Sequence, residues 1–393
     1  MSAERRGTFC NAWRGFIPPG WPPTEAQAGF LQDLSALVGA AGAPEDVQEC
    51  SSWLAQSGAP PAERLALLAG LADGLARAGH LGRLRESRAS LASLLEYATP
   101  TALDRDAGLR ARLAALRVLA RLEAAAAQPV LLTLLLPAQP PELQSAAVEA
   151  AAELADAQFA EALFAPWSQY ARATRQQLLQ SAPHSSALTG ACLAAVEERR
   201  ISPLEFDPAT RQALRRNKSP AIKMRVETLW QENADREAVV QRFRPALDLP
   251  GDGQRGAATF AKTCLICHTV QGQGGNVGPD LSGIQTHTKE TLLVEILDPS
   301  RQVLPDYLSY TCLTTQGDTV TGCIVAETAA SVTLRRPGQP DLTVPRQQIQ
   351  ELKADGISLM PDGLEAGLSA QDMADLLEFL QHPALSPAAG AGN

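Results

Sequence analysis

The chain has no run of lysine or arginine, and its formal net charge is −9. Nucleic acid, which is held mainly by neutralising phosphates, is therefore not an expected partner. No apolar stretch approaches the ~20 residues that a membrane-spanning helix needs. The longest, residues 130–136, stops at Pro137. An export signal is missing too: Arg5 and Arg6 have no apolar segment behind them, and Thr8-Phe9 before Cys10 fits a lipoprotein cleavage site poorly. The glycine-rich stretch 272–278 has neither a Gly-Lys-Ser/Thr sequence after it nor a strand pattern before it. That excludes a phosphate-binding loop.

Against these absences stands Cys264-Leu265-Ile266-Cys267-His268. It reads C-x-x-C-H, the pattern that ties a c-type haem to protein. On one helical turn Cys264, Cys267 and His268 share a face. Two thiols there can add to the vinyl groups of a haem, with the imidazole beneath the iron. The pattern occurs once, so one covalently attached haem c is expected. Such attachment follows export, which implies a periplasmic or otherwise extracytoplasmic location. With no signal visible, the chain is expected to start upstream or to be a fragment truncated at its amino terminus.

The 393 residues of the chain offer room for two or three domains. Residues 24–232 are rich in Ala, Leu, Arg and Glu, broken by proline at helix-length intervals. Leu65, Leu68, Ala72 and Leu75 form one apolar stripe; Leu109, Leu113, Leu116 and Ala120 a second; Leu143, Ala147, Ala151 and Leu154 a third. Short antiparallel helix pairs stacked in a row, a HEAT-like array, follow from this spacing. Residues 256–263 and 288–297 read as helices around the attachment turn. Residues 307–352 switch to Thr, Val and Ile with breaks at Gly317-Asp318, Ala329-Ala330 and 337–340, giving four or five short strands. Ser369 and Asp372 form a capping box ahead of a Met373, Leu376, Leu377, Leu380 stripe.

The expected fold is mainly α: a HEAT-like helical array, then a monohaem cytochrome c domain carrying a small β-barrel-like insert. Its divisions are 1–23 irregular, 24–241 array, 242–300 first part of the cytochrome c domain, 301–353 β insert, 354–382 its last part, and 383–393 a disordered tail. A two-residue loop at Gly317-Asp318 would set Cys312 opposite Cys323. There they either form a cross-strand disulfide or pack as two small residues.

Two further positions complete the haem reading. Gly278-Pro279-Asp280-Leu281 follows His268 by eleven residues at Pro279. A proline carbonyl at that point can accept the other ring N–H of the histidine, although an ordinary Gly-Pro turn has the same sequence. Met360, in Ser358-Leu359-Met360-Pro361-Asp362-Gly363, has no helical stripe to belong to and is the candidate sixth ligand. Met373, Met224 and His287 are its rivals. Cofactor-binding residues are thus Cys264, Cys267, His268, Pro279 and Met360, with His268 and Met360 on the metal.

From about residue 201 onward the sequence resembles the haem-binding domain of the Pirellula–Verrucomicrobium type. The matching stretches are Leu204-Glu205-Phe206-Asp207-Pro208-Ala209, Arg242-Phe243-Arg244-Pro245-Ala246-Leu247, Arg255-Gly256, Val277-Gly278-Pro279-Asp280-Leu281, Ile296-Leu297-Asp298-Pro299-Ser300 and Ser358-Leu359-Met360-Pro361-Asp362-Gly363-Leu364. The resemblance implies a cytochrome c fold interrupted by a small β insert. It also implies a place behind helical repeats in large exported proteins, often with a dehydrogenase-like propeller ahead. Single-electron transfer from a dehydrogenase module or redox protein to an unspecified acceptor follows, rather than independent enzymatic activity. A peroxidase or gas sensor with a labile sixth ligand is the alternative, and a structural zinc module through Cys264 and Cys267 a third.

Overall fold

The computed structural model describes residues 25–230 and 233–383. The irregular amino-terminal segment with Cys10, and the tail beyond Pro383, lie outside the described residues. The fold is mainly α, and its two compact units divide between Leu163 and Phe164.

The first unit is a helical array: α1 (Glu25–Ala41), α2 (Pro44–Gln56), α3 (Pro61–Arg77), α4 (Leu81–Glu86), α5 (Arg88–Leu95), α6 (Ala98–Leu103), α7 (Leu109–Leu122), α8 (Ala124–Leu134), α9 (Pro141–Leu154) and α10 (Ala157–Phe164). Proline opens α2, α3 and α9, where its missing N–H costs nothing. Helix α3 packs between α1 and α7. Its stripe Leu65, Leu68, Ala72 and Leu75 is fully buried, and so are Ala66 and Leu67 on the flanks. Contact with α1 is backbone to backbone, since a Cβ on Gly74 would stand 2.0 Å from the Ala36 carbonyl oxygen.

Helix α7 departs from the expected stripe. Leu116 is buried, but Leu109, Leu113 and Ala120 are only half-buried, and Arg112 lies inside. Its guanidinium is satisfied by the Ala102 carbonyl (3.0 Å) and Gln139 Oε1 (2.6 Å). A charged side chain with internal acceptors can turn inward, and an apolar-spacing rule has no term for that.

The second unit opens with α11 (Arg172–Ser181), α12 (Ser186–Glu197), α13 (Pro208–Arg215), α14 (Pro220–Leu229) and α15 (Ala234–Phe243). Ser185, Asp207, Ser219 and Asn233 cap the last four through side-chain oxygens. Then come α16 (Gly253–Thr263), the two-residue strands β1 (Thr269–Val270) and β2 (Gln273–Gly274), and α17 (Lys289–Leu297), capped by Thr288. Strands β3 (Leu308–Thr314), β4 (Thr319–Glu327), β5 (Ser331–Arg336), β6 (Gln339–Pro345) and β7 (Ile349–Ser358) follow, and α18 (Ala370–Gln381) closes the unit. The Ser369–Asp372 capping box of α18 is formed, and Met373, Leu376, Leu377 and Leu380 are all buried.

Helices α16 and α18 cross in direct contact although the whole sheet separates them in sequence. Glycine makes the crossing: a Cβ on Gly256 would stand 2.0 Å from the Asp375 carbonyl oxygen. One turn on, Phe260 meets Phe379 with ring centroids 5.1 Å apart. Arg255 Nε adds an ion pair to the buried Asp375 carboxylate at 2.6 Å. Phe243, Val270, Leu293 and Leu297 complete the core around this crossing.

The five strands run antiparallel in the order β6-β5-β4-β3-β7. One face encloses a separate core of Leu308, Tyr310, Cys312, Ile324, Val332, Leu334, Val344 and Leu352. The β3–β4 register corrects the two-residue hairpin. Cys312 pairs with Val320 and Leu313 with Thr319. The turn is wider because Thr314 closes it, its N–H donating to Asp318 O (2.9 Å) and its Oγ1 accepting from Asp318 N (3.1 Å). A three-residue slip is odd, so it sends the two thiols to opposite faces. Cys312 enters the sheet core, Cys323 faces the Val277 carbonyl, and both are free.

The α16–α18 crossing should tolerate no side chain at Gly256. Gly256→Ala is expected to cost about 3 kcal/mol by overpacking, lowering the melting temperature on the order of 10 °C. Gly253→Ala, where an added Cβ meets nothing within 4 Å, should leave it unchanged. Thermal unfolding followed by circular dichroism checks the pair.

Candidate functional site

Helix α16 ends at the attachment turn. The Cys264 N–H still reaches the Phe260 carbonyl (2.8 Å), and Cys264 O then accepts from Cys267 N (3.1 Å) and His268 N (3.0 Å). Cys264, Cys267 and His268 are half-buried, whereas Ile266 between the cysteines is 59 % exposed. Burial, with a smaller contribution from Cys267, pushes the Cys264 thiol up to about 11. Burial raises Cys267 as well. Both are neutral thiols at neutral pH.

His268 Nδ1 lies 3.0 Å from the Pro279 carbonyl oxygen. A carbonyl oxygen only accepts, so Nδ1 carries the proton and Nε2 keeps its lone pair. Burial lowers the affinity of the ring for a second proton, partly opposed by the Pro279 bond. The result is a neutral imidazole of fixed tautomer with Nε2 available as a donor to a metal.

The loop from β2 to Pro279 wraps this turn closely. A Cβ would stand 2.1 Å from Ile266 O at Gly275 and 2.5 Å from His268 Cε1 at Gly278. At both glycines the backbone therefore lies directly against the turn. The N–H groups of Val277 and Gly278 donate to Cys267 O at 2.9 and 2.8 Å. The turn and the Pro279 carbonyl are thereby locked to each other.

Met360 lies half-buried between β7 and α18, outside both apolar cores. Its loop is pinned at both ends. Ser358 N donates to Ser300 Oγ at 3.1 Å. At the other end Arg236 holds Glu365 through two 3.1 Å bonds while its Nε donates to Leu297 O at 2.6 Å. No spacing or motif pointed to Arg236 or Glu365. Of the rivals, Met373 is buried in the α16–α18 core, Met224 is 69 % exposed, and His287 Nδ1 sits 3.1 Å from Glu295.

Haem c fits these residues. Two neutral thiols three positions apart stand beside an imidazole with a free Nε2. Half-buried Leu265, Leu281, Ile284 and Leu368 fringe the core. Structural zinc fits less well, because among the described residues no group of three or more His, Cys, Asp or Glu is gathered to hold a metal.

The family model described as Cytochrome c matches residues 253–304. No curated protein matches the chain. The match runs from α16 through α17 and ends just before the β insert. The match supports a cytochrome c-like haem-binding segment over these residues, of a kind typically found outside the cytoplasm, and with it haem c and redox partners. Among the described residues no helix is long and apolar enough to cross a membrane.

The Arg236 clamp carries a pH signature. Burial raises the Glu365 carboxyl, but the Arg236 hydrogen bond and charge outweigh it and hold the group below the usual carboxylate range. A depressed folded pKa contributes stability above the unfolded value, about 4.3, which is lost as pH falls through the folded one. The stability gap between the native chain and Glu365→Gln should stay constant from neutral pH to about 5 and narrow below about 4. Melting temperature against pH for both chains checks it, and a gap that widens in acid contradicts it.

Proposed function

We propose that the chain is a single-electron carrier built on a cytochrome c domain, holding one haem c through thioether bonds to Cys264 and Cys267. His268, through Nε2, and Met360 would hold its iron. The observation that carries the reading is the His268–Pro279 bond of 3.0 Å inside a segment that matches Cytochrome c. Bound there, haem c supplies an iron that accepts and returns one electron.

The protein's part is ligation, orientation and exclusion of water. Pro279 holds the Nδ1 proton, which fixes the ring and raises the basicity of Nε2. The turn from Cys264 to His268 carries both thiols and the imidazole within five residues. Arg236 and Ser300 keep the Met360 loop from swinging out, and a thioether favours the reduced iron. The α16–α18 crossing supplies the apolar floor.

The wider reading is supported by the sequence resemblance and the spacing of the helical stripes. The haem-binding part is of the Pirellula–Verrucomicrobium type, formed by residues 242–300 and 354–382 around the insert. The helical array at 24–241 is HEAT-like and serves as a docking surface. Electrons come from a dehydrogenase module or a separate redox protein, outside the cytoplasm.

The test is export of the chain behind an added signal with a cytochrome c maturation system. Pigment should stay on the polypeptide through denaturation and acidified solvent, and should be lost in Cys264→Ser/Cys267→Ser. Met360→Ala should keep the covalent pigment yet lose the methionine-to-iron charge-transfer band. Colourless protein contradicts the cofactor, and a band that survives Met360→Ala contradicts the ligand.

A further inference from the structure

The β insert touches the haem-binding segment at the loop that carries Pro279. Arg335 on β5 is gripped by both carboxylate oxygens of Asp341, at 3.0 and 2.8 Å. Its Nη1 donates to the Asn276 carbonyl at 3.2 Å. Cys323, the ladder partner of Arg335 on β4, points Sγ at the Val277 carbonyl at 3.8 Å. The β5–β6 tip reaches the attachment turn, where a Cβ on Gly338 would stand 3.5 Å from Ile266 Cδ1.

The same loop is held from its other side by Cys267 O, which accepts from Val277 and Gly278. Its N–H groups are therefore committed to the attachment turn and its carbonyls to the insert. The next residue is Pro279, whose carbonyl accepts the hydrogen bond from His268 Nδ1. Asn276 is exposed and Val277 is buried. Arg335 thus supplies a charge-assisted bond at the point where the loop leaves solvent.

We infer that the β insert braces the axial histidine, with Arg335 as the positioning residue that presses the 276–279 loop onto Cys267 and keeps the Pro279 carbonyl on His268 Nδ1. This rests on the haem reading proposed above and adds a task for the insert within it. An imidazole whose Nδ1–H is held by a carbonyl donates more strongly through Nε2 and favours oxidised iron. Loosening the brace weakens that donation, so the reduction potential moves upward. An insert that only filled space or met a partner would leave the potential unchanged.

The experiment uses the exported, haem-loaded full chain with Arg335→Gln, Asp341→Asn and, as control, Thr333→Val. Thr333 pairs with Thr343 at 2.9 Å on the same hairpin and takes no part in the contacts with the loop. Hydrogen exchange at the Val277 and Gly278 amides and the reduction potential are read in each. Arg335→Gln and Asp341→Asn should exchange about fivefold faster at both amides, as loss of one hydrogen bond's net stabilisation gives. Both should also raise the potential, and Thr333→Val should do neither.

If Arg335→Gln matches the native chain, or behaves as the Thr333 control does, the brace is overturned while the haem reading stands. A native chain that takes up no haem overturns the functional reading itself, and the two failures are told apart by colour alone. Should Arg335→Gln fail to fold, Asp341→Asn carries the same comparison.

Discussion

The hydrogen bond from His268 Nδ1 to the Pro279 carbonyl decides what the rest of the second unit must do. It sets the tautomer, leaves Nε2 free, and ties the attachment turn to a loop eleven residues downstream. A neutral, half-buried imidazole could otherwise rotate or exchange tautomers, and a ligand must do neither. Glycine at 278 is what lets the loop come close enough, because any Cβ there would enter the ring. Two N–H groups then fix the loop on Cys267 O.

The packing around this bond is discontinuous in sequence. Helix α16 ends in the attachment turn, so its position sets where the cysteines point, and α18 fixes α16 through the Gly256 crossing and the Phe260–Phe379 pair. The sheet between them has a core of its own and returns the chain through the Met360 loop. Tethers with no common motif join these parts: Arg236 to Glu365 and Leu297, Ser358 to Ser300, Arg335 to Asn276. Each commits a polar group across a wide sequence gap.

Local features were legible in the sequence. The α18 capping box, its buried stripe and the buried stripe of α3 depend on neighbours within a turn or two, and spacing reveals them. Four or five strands are expected from three breaks, and five form, the last after a further break at Arg346–Gln348. The placement of Cys312 and Cys323 was not legible, because Gly317-Asp318 does not specify loop length, and Thr314 closes a wider turn. The buried face of α7 was displaced by Arg112, whose acceptors Ala102 and Gln139 lie in other elements. The Arg236–Glu365 and Arg335–Asn276 contacts carry no signal at all in one sequence, since the partners lie 129 and 59 residues apart.

The most direct measurement is peptide-level mass spectrometry of the exported, matured chain. The account predicts one haem adduct per chain, on the peptide that contains Cys264, Cys267 and His268, with both sulfurs modified. Pigmented protein whose Cys264 and Cys267 can still be alkylated would contradict it.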